Sequence, residues 1–518
     1  ALLCYLKRKS IVAPNKPADR RERMEALKEN KQEKFIGAYV KAPIVGKYDW
    51  IYDLDSTSLY PSIIMSINIS PETKIGKIQD WDVQKYLKGE TDTYYIDDDS
   101  ITKENLKEYL DKSKFSIASN GVLYRTDTVG CIPGILDLWF EKRVEYKDKM
   151  KKYGNAGDKE KYAFYYKRQL VQKILLNSLY GVLGLPAFRF YDVDNATAVT
   201  TTGQTVIKST ADMANIKYNK ELGDPDLDSN IYIDTDSVFF SAVPLMDKRF
   251  PNWKDEEQDI IAGYVNDIAE EMQDYLNDFY DILSKKIFNV DKDKHRLEIK
   301  KEYVAKAGLW IAKKRYAQWI ISDNGVPCDK LDVKGLDVKR SSFPKAFQEC
   351  MGKVLIDILK GKTEEEISDY VLDFKKNMEN RPNSEIAKNT AVKNLKKYMP
   401  KGKRVPFTTM KGTPAHVKAA IAYNDLITHF KVPFKYGPMV NGDKVKWVYL
   451  KDNPLGLNGL AFTGYNDPPE IEKFIETYID RNKIFERELR FKLQDFYDAI
   501  GWGEMISEQK TAEKFFNF

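Results

Sequence analysis

Two amphipathic segments near the middle of the chain predict a helical hairpin. Over residues 136–150, apolar and long polar side chains recur at the three- and four-residue spacing of a helix. Residues 153–157, Tyr-Gly-Asn-Ala-Gly, break this pattern, and a second helical pattern covers about 159–180. Two helices joined by a short glycine-containing turn form an αα-hairpin.

Strand patterns lie on both sides of this hairpin. Residues 35–40 and 49–54 precede it and are rich in aromatic and β-branched residues, as strands are. Strand character returns at 188–191 and again over 297–321. In 231–240 two short apolar runs flank a tight acidic turn, which predicts a β-hairpin with carboxylates at its tip.

Helical periodicity dominates the remaining long segments. A helix is predicted over about 197–217, and a second, over about 256–288, has one continuous apolar face. Pro344 lies where a helix is predicted to begin, and helical patterns return over 470–500. The pattern predicts an α+β fold in which a helical hairpin is inserted into a β-containing core.

Composition narrows the class of protein. A length of 518 residues suggests roughly three domains. No run of about 18 apolar residues could span a membrane, and the first residues do not resemble a signal peptide. Four scattered cysteines argue against a zinc site or a disulfide framework and favour the reducing cytoplasm. The chain begins without methionine and in mid-pattern, as expected of a piece of a longer polypeptide.

The net charge of +5 does not by itself indicate a nucleic-acid-binding protein. Basic residues cluster at 313–315, 339–340 and 401–411, and acidic residues at 90–99 and 253–278. Each cluster taken alone is best explained as a solvated face.

Residues 55–64, Asp-Ser-Thr-Ser-Leu-Tyr-Pro-Ser-Ile-Ile, follow a predicted strand. Pro61 disfavours helical geometry at Tyr60, so the chain turns there. A carboxylate at the strand end, Asp55, can present a metal ion to a phosphorylated substrate. Asp53 lies on the same face of the strand. Taken alone, the segment is better explained as a strand, a turn and a helix cap.

A second carboxylate, Asp236, lies in the acidic turn of the predicted β-hairpin. Asp55 and Asp236 are plausible neighbours at one end of a sheet, and the absence of nearby histidine or cysteine favours Mg²⁺. Two such ions would hold the attacking and leaving oxygens of a phosphoryl transfer. A hydrogen-bonded hairpin turn explains the acidic sequence equally well.

Polar side chains share one face of each helix of the predicted hairpin. Arg143 and Lys147 are four residues apart on the first helix, and Lys173 and Asn177 repeat this spacing on the second. Such groups on two antiparallel helices can bind a triphosphate. One basic pair is usually a solvated face, but the same pattern on both helices favours binding.

Together these segments resemble DNA polymerase family B. Four segments match its motifs in order: 55–64 (motif A, D-x-x-S-L-Y-P-S-I-I), 173–181 (motif B, K-x-x-x-N-S-x-Y-G), 232–237 (motif C, Y-G-D-T-D-S) and 313–316 (K-K-R-Y). Ile233 replaces the glycine of motif C. The spacing of motif A selects Asp55, not Asp53, as the metal ligand. The resemblance covers nearly the whole chain from about residue 35 and is closest to the T-even bacteriophage branch.

The resemblance implies an α+β right-hand fold: an antiparallel-sheet palm, an inserted helical-hairpin fingers domain and a mostly helical thumb. The implied domains are a linker or helix from a missing N-terminal region (1–34), palm (35–132), fingers (133–185), palm (186–340) and thumb with a clamp-binding tail (341–518). The implied activity is DNA-directed DNA synthesis in viral replication, with primer–template DNA and dNTPs as substrates.

The resemblance also implies a metal site. Asp55 and Asp236 would hold two Mg²⁺ ions, or Mn²⁺ in their place, with help from the Ser56 carbonyl. Asp234 would lie near the primer end, and Glu302 matches an acidic position near the metals.

Other residues are implied to bind nucleotide, DNA or a sliding clamp. Tyr60 would exclude a ribose 2′-OH. Those that would contact the nucleotide are Ser58, Leu59, Tyr60, Arg143, Lys147, Lys173, Asn177, Tyr180 and Gly181. Those that would contact DNA are Lys313, Lys314, Arg315, Tyr316, Lys339 and Arg340. The tail residues Phe515, Phe516 and Phe518 would bind the clamp, although a tail folded onto the thumb is the alternative.

No D-x-E exonuclease motif precedes motif A in the chain, so we expect proofreading in a separate chain or in a missing upstream region. Two alternatives remain. A protein-primed polymerase would need an added segment for which the stretch between motifs B and C leaves little room. A non-catalytic DNA-binding or clamp-bound scaffold would be expected to lack carboxylates at positions 55 and 236, yet both are present.

Overall fold

Helices and antiparallel strands alternate along the chain in the computed structural model, which describes residues 2–15, 36–96, 99–186, 188–399, 405–432 and 435–505. The helices are α1 (Leu2–Arg8), α2 (Leu59–Ile67), α3 (Val83–Lys88), α4 (Lys103–Ser113), α5 (Cys131–Asn155), α6 (Lys159–Leu183), α7 (Val193–Leu222), α8 (Val243–Arg249), α9 (Gln258–Phe288), α10 (Lys345–Leu359), α11 (Glu364–Asn377), α12 (Asn383–Ile386), α13 (Leu395–Tyr398), α14 (Ala415–His429), α15 (Pro469–Tyr478), α16 (Arg481–Ile484) and α17 (Phe491–Ala499). The strands are β1 (Gly46–Ser56), β2 (Lys74–Lys77), β3 (Thr93–Ile96), β4 (Asp99–Thr102), β5 (Phe115–Ile117), β6 (Val122–Arg125), β7 (Asn230–Asp234), β8 (Ser237–Ser241), β9 (Ile299–Ala312), β10 (Arg315–Asp323), β11 (Val326–Lys334), β12 (Lys388–Ala391), β13 (Lys444–Tyr449) and β14 (Gly459–Phe462).

The chain divides into two units. The first comprises Ala1–Ala42, Trp50–Val304 and Ser322–Val326, and the second comprises Pro43–Asp49, Ala305–Ile321 and Pro327–Phe518. Over the ranges that are described, no helix combines the length and the apolar character needed to cross a bilayer. The predicted linker over 1–34 lies largely outside the described residues.

In the first unit, β8 pairs antiparallel with β7 on one side and with β1 on the other. Ser237 at the start of β8 is opposite both Asp55 on β1 and Asp234 on β7. The predicted β-hairpin and the antiparallel sheet are therefore confirmed. The acidic turn of the hairpin lies beside the end of β1.

Two predicted strands are wrong. Of residues 36–40 only Val40 forms a bridge, an isolated one to Asp234. The backbone hydrogen bonds beside it are from the Thr235 N–H to the Tyr39 carbonyl and from the Lys41 N–H to the Ile233 carbonyl, which do not extend into a strand ladder. Residues 188–191 form turns between α6 and α7. The ring centroids of Phe188 and Phe190 lie 5.7 Å apart, so these aromatic side chains pack on each other and do not indicate a strand.

The predicted helical hairpin is confirmed as α5 and α6, each of 25 residues. The turn falls slightly later than predicted. Gly157 has a φ of +71°, a conformation that suits glycine, and the Asp158 carboxylate accepts the Lys161 backbone N–H at the start of α6. The rings of Tyr153 and Tyr165 stack across the hairpin with centroids 5.5 Å apart. The predicted helix over 256–288 is confirmed as α9.

The second unit has one continuous apolar core. Helices α10, α11 and α14 and the sheet β12–β13–β14 contribute to it. Helix α10 begins directly after Pro344, as predicted. The helix predicted over 470–500 is interrupted: α15 ends at Tyr478, and Phe485–Arg490 forms a π-helical segment between α16 and α17.

A loop after α2 caps the start of α5. The Asn68 side chain accepts the Gly130 backbone N–H and donates to the carbonyls of Arg125 and Thr128. The Glu72 carboxylate accepts the N–H of Cys131, the first residue of α5. The first N–H groups of a helix have no partner within the helix, so these side chains satisfy donors that would otherwise be buried unpaired. The loop thereby fixes where α5 begins.

We expect Asn68→Gly to lower the free energy of unfolding by about 2–4 kcal/mol, because one N–H and two carbonyls lose their partners. Asn68 has a φ of +63°, which glycine adopts freely, so the loss reports the side chain and not the backbone. Urea unfolding followed by circular dichroism measures it. The matched control is Asn394→Gly, since Asn394 has a φ of +58° and makes no capping hydrogen bond. Equal effects of the two substitutions would contradict the capping role.

Candidate active site

The end of β1 places Asp55 at the site and Asp53 in the interior. Asp53 is 1% exposed, and its carboxylate accepts the Tyr303 backbone N–H at 2.8 Å. Asp55, two residues on, lines a cavity. Ser58 then adopts a φ of +51°, which turns the chain into α2. The choice of Asp55 over Asp53 therefore agrees with the burial of the two side chains.

Two hydrogen bonds join the end of β1 to the β7–β8 turn. The Ser237 hydroxyl donates to Asp55 Oδ2 at 2.8 Å, and the Ser56 N–H donates to the carbonyl of Asp236 at 2.8 Å. Thr235 at the turn has a φ of +69°, and its N–H donates to the Tyr39 carbonyl at 3.1 Å. These contacts hold the Asp55 and Asp236 side chains at one cavity.

The cavity has a volume of about 500 Å³ and lies wholly within the first unit. Its lining residues are Asp55, Thr57, Ser58, Leu59, Tyr60, Pro61, Arg143, Lys147, Lys173, Asn177, Tyr180, Thr235, Asp236, Lys300, Glu302 and Asn324. Most of the residues that sequence reasoning assigned to metal or nucleotide therefore converge. Ser56, Asp234 and Gly181 are not among the lining residues.

The helical hairpin contributes a basic side of the cavity. Arg143 Nη1 donates to the Ser58 hydroxyl at 3.0 Å, while its buried Nε has no hydrogen-bond partner among the residues that the structure describes. Burial lowers the pKa of Arg143. Burial and the neighbouring Arg143 charge also lower the pKa of Lys147. Lowered pKa values on basic groups mean that positive charge here is incompletely balanced, so an anion would be stabilised.

The pKa values of the two carboxyl groups at the cavity are shifted in the opposite direction, upward. Burial, followed by the charges of Asp236 and Glu302, raises the pKa of Asp55 to about 8. Burial also raises the pKa of Asp236 to about 6, with contributions from Asp234 and Glu302. Asp234 thus acts on the site through its charge. Two close, partly desolvated carboxylates with raised pKa values would be stabilised by a bound cation.

These carboxylates fit a magnesium ion. Within the described ranges, no group of three or more His, Cys, Asp or Glu side chains is arranged to hold a metal. Asp55 and Asp236 would supply hard carboxylate oxygens, and two such ligands leave other positions to water or substrate. Magnesium sites that work on phosphates commonly have this composition.

Tyr60 and Tyr180 form one side of the cavity. Their ring centroids are 4.4 Å apart, with an interplanar angle of 48°. Burial raises the pKa of the Tyr180 hydroxyl to about 12, and the pKa of Tyr60 is raised as well, so both rings are neutral at physiological pH. The two rings shape the cavity sterically and carry no charge.

Sequence reasoning missed several lining residues, including Lys300 and Asn324. Lys300 lies two residues before Glu302 on β9, and the two-residue period of a strand could have identified it. Asn324 lies in the turn between β10 and β11, where its N–H donates to the Glu302 carbonyl. No local signal in the sequence links this turn to the site.

The predicted DNA-contacting residues belong to the second unit. Lys314 has a φ of +60°, and Arg315 donates to Asp495 at 2.6 Å. Tyr316 is buried and stacks on Trp310 with ring centroids 5.8 Å apart, which suits a residue that supports the turn. Lys339 and Arg340 are exposed. The predicted clamp-binding residues Phe515, Phe516 and Phe518 lie outside the described residues.

A sequence model described as DNA polymerase family B matches residues 1–249 and 267–480. The DNA-directed DNA polymerase of Enterobacteria phage T4 is 26% identical over 549 residues, covering 93% of this chain and 57% of that protein. The DNA-directed DNA polymerase of Escherichia phage RB69 is 27% identical over 511 residues, covering 90% and 55%. A DNA polymerase of Thermococcus gorgonarius is 29% identical over 358 residues, covering 69% and 35%. The chain spans about half the length of the phage relatives it matches.

We expect Asp55 and Asp236 to contribute a loss of stability in the metal-free chain as the pH rises from about 4 to about 8. Both aspartate pKa values are raised by folding, so the folded chain retains protons that the unfolded chain releases above about pH 4. The contribution of these two groups to stability therefore falls across that window. Thermal unfolding in EDTA at pH 5 and pH 8 measures the change.

Asp55→Asn removes the group with the larger shift and should flatten this dependence. Asp259→Asn, an exposed substitution in the first turn of α9, is the control and should keep the wild-type slope. An unchanged slope in Asp55→Asn would show that Asp55 does not hold the proton.

Proposed function

Because the chain belongs to DNA polymerase family B, we propose that it catalyses DNA-directed DNA synthesis. In this reaction the primer 3′-OH attacks the α-phosphate of a dNTP, and pyrophosphate leaves. The substrates would be primer–template DNA and the four dNTPs.

One observation carries this proposal: a single cavity combines an acidic side with a basic side. Asp55 and Asp236 have raised pKa values, whereas Arg143 and Lys147 have lowered ones. A metal-bound triphosphate supplies both missing charges, because its cation meets the carboxylates and its phosphates meet the basic groups. Neither a metal nor an anion alone would satisfy both sides.

Asp55 and Asp236 would hold two Mg²⁺ ions, which Mn²⁺ may replace, with the Ser56 carbonyl as a further ligand. When bound, such ions stabilise charge on the attacking and leaving oxygens of a phosphoryl transfer. Glu302 lies close enough to contribute to the pKa of both aspartates, which supports its assignment beside the metals.

The triphosphate would lie between α2 and the helical hairpin. Ser58 and Leu59 begin α2, and the N-terminus of a helix attracts anions through its free N–H groups and its dipole. Arg143, Lys147 and Lys173 would neutralise the phosphates from the opposite side, with Asn177 as a hydrogen-bond donor. Tyr180 and Gly181 would contact the new base pair.

The right-hand arrangement follows as part of the proposal. The sheet of β1, β7 and β8 would be the palm, α5 and α6 the fingers, and residues 341–518 the thumb. Lys313, Lys314, Arg315, Lys339 and Arg340 would contact DNA phosphates, which positions the duplex without reading its sequence.

Further assignments concern the setting of the enzyme. We propose replication of a viral genome in the host cytoplasm, with a sliding clamp bound through the C-terminal tail. Proofreading would be supplied by a segment or chain other than the one described.

We expect Asp55→Asn and Asp236→Asn each to reduce primer extension at least about 10³-fold, because a metal ion supplies several kcal/mol of transition-state stabilisation. Asp259→Asn should extend the primer at the wild-type rate. The assay follows a labelled primer annealed to a longer template, with Mg²⁺ and all four dNTPs.

Primer binding is measured alongside extension, by fluorescence anisotropy. A chain that binds DNA but does not extend it, with Asp55→Asn indistinguishable from wild type, would favour a non-catalytic scaffold and overturn the proposal.

We expect Tyr60→Ala to relax sugar selection by at least about tenfold, because it removes the ring that limits space in the cavity. Single-nucleotide insertion of dNTP and the matching rNTP measures the ratio of kcat/KM values. Tyr60→Phe keeps the ring and should keep the wild-type ratio. If Tyr60→Ala discriminates as well as wild type, the sugar filter lies elsewhere.

A further inference from the structure

Helix α7 carries a buried glycine, Gly203, in its interior. Glycine is among the least favourable residues within a helix, so its presence there calls for a packing reason. Gly203 has one. A Cβ atom placed on this residue would lie 2.8 Å from Tyr60 Cε1 and 3.4 Å from Tyr60 Cδ1. A methyl side chain at position 203 would therefore collide with one edge of the Tyr60 ring.

The Tyr60 ring has little freedom to avoid this collision. Tyr180 lies beside it, with ring centroids 4.4 Å apart. Ile63, one turn further along α2, is also close, since its Cδ1 would be 3.6 Å from the same Cβ. The remaining open side of the ring is the cavity that Tyr60 lines.

We propose that Gly203 is a positioning residue that sets how far the Tyr60 ring projects into the nucleotide cavity. By lacking a side chain it lets the ring lie against α7 and leaves room for a deoxyribose. This inference rests on the proposed role of Tyr60 as the sugar filter, and it assigns part of that selectivity to a residue of another helix. Gly203 itself does not line the cavity.

The test is Gly203→Ala with and without Tyr60→Ala. Single-nucleotide insertion is measured for dNTP and the matching rNTP with wild type, each single variant and the double variant. We expect Gly203→Ala to raise the KM for dNTP about tenfold and that for rNTP more, because a displacement equivalent to one methyl group changes pocket discrimination by about that factor. We expect kcat to change much less.

The two substitutions should not be additive. Once Tyr60→Ala has removed the ring, Gly203→Ala has nothing to displace, so the double variant should match Tyr60→Ala in its dNTP-to-rNTP selectivity. A general loss of structure would instead lower activity equally in both backgrounds. Equal effects in both backgrounds, or wild-type selectivity in Gly203→Ala, would overturn the inference.

Gly263→Ala is the matched control, because Gly263 also lies within a long helix, α9, and a Cβ there would meet nothing within 4 Å. It should keep wild-type selectivity. If Gly203→Ala alone does not fold, the double variant must recover both the fold and the insertion kinetics of Tyr60→Ala; failure to do so counts against the inference. Unchanged selectivity in Tyr60→Ala itself would instead remove the proposed filter.

Discussion

Burial of two carboxylates, Asp55 and Asp236, at one cavity is the physical constraint on which the site depends. Carboxylates move toward water when the backbone allows it, but here the backbone holds both of them at the cavity. The Ser237 hydroxyl and the Ser56 N–H connect the end of β1 to the β7–β8 turn, and the sheet register fixes both strands. Burial of the two side chains raises the pKa of both carboxylates, and neighbouring charges add to the effect: Asp236 and Glu302 for Asp55, Asp234 and Glu302 for Asp236. A bound cation offsets this effect, so the fold is prepared for a cation before one binds.

Helix α2 links these two carboxyl groups to the basic side of the cavity. Its N-terminus follows Asp55 and lies at the cavity, and the loop after its C-terminus, with Asn68 and Glu72, caps the start of α5. Arg143, on α5, donates a hydrogen bond to the hydroxyl of Ser58 at the start of α2. The carboxylates and the cations are therefore positioned through nine residues of one helix and one capping loop.

Sequence patterns predicted the elements that have strong local periodicity and missed those set by distant contacts. Residue spacing along the sequence was enough to predict the hairpin α5–α6, helix α9 and the turn at Asp236. The assignment of Asp55 over Asp53 needed the motif, since alternation along a strand cannot distinguish residues two apart. Asn324 could not be found, because only the pairing of β9 with β10 brings its turn to Glu302.

The replacement of the motif C glycine by Ile233 shows which residue of the acidic turn adopts a left-handed backbone conformation. Ile233 stands where the motif has glycine, yet it is buried within β7 and pairs with Val238 in regular register. Its carbonyl accepts the Lys41 N–H, as an extended residue can. The left-handed backbone falls instead on Thr235, two residues later. The unusual backbone conformation of the turn lies at Thr235, so position 233 does not need glycine. A β-branched residue at 233 can therefore stabilise the strand without disturbing the position of Asp236.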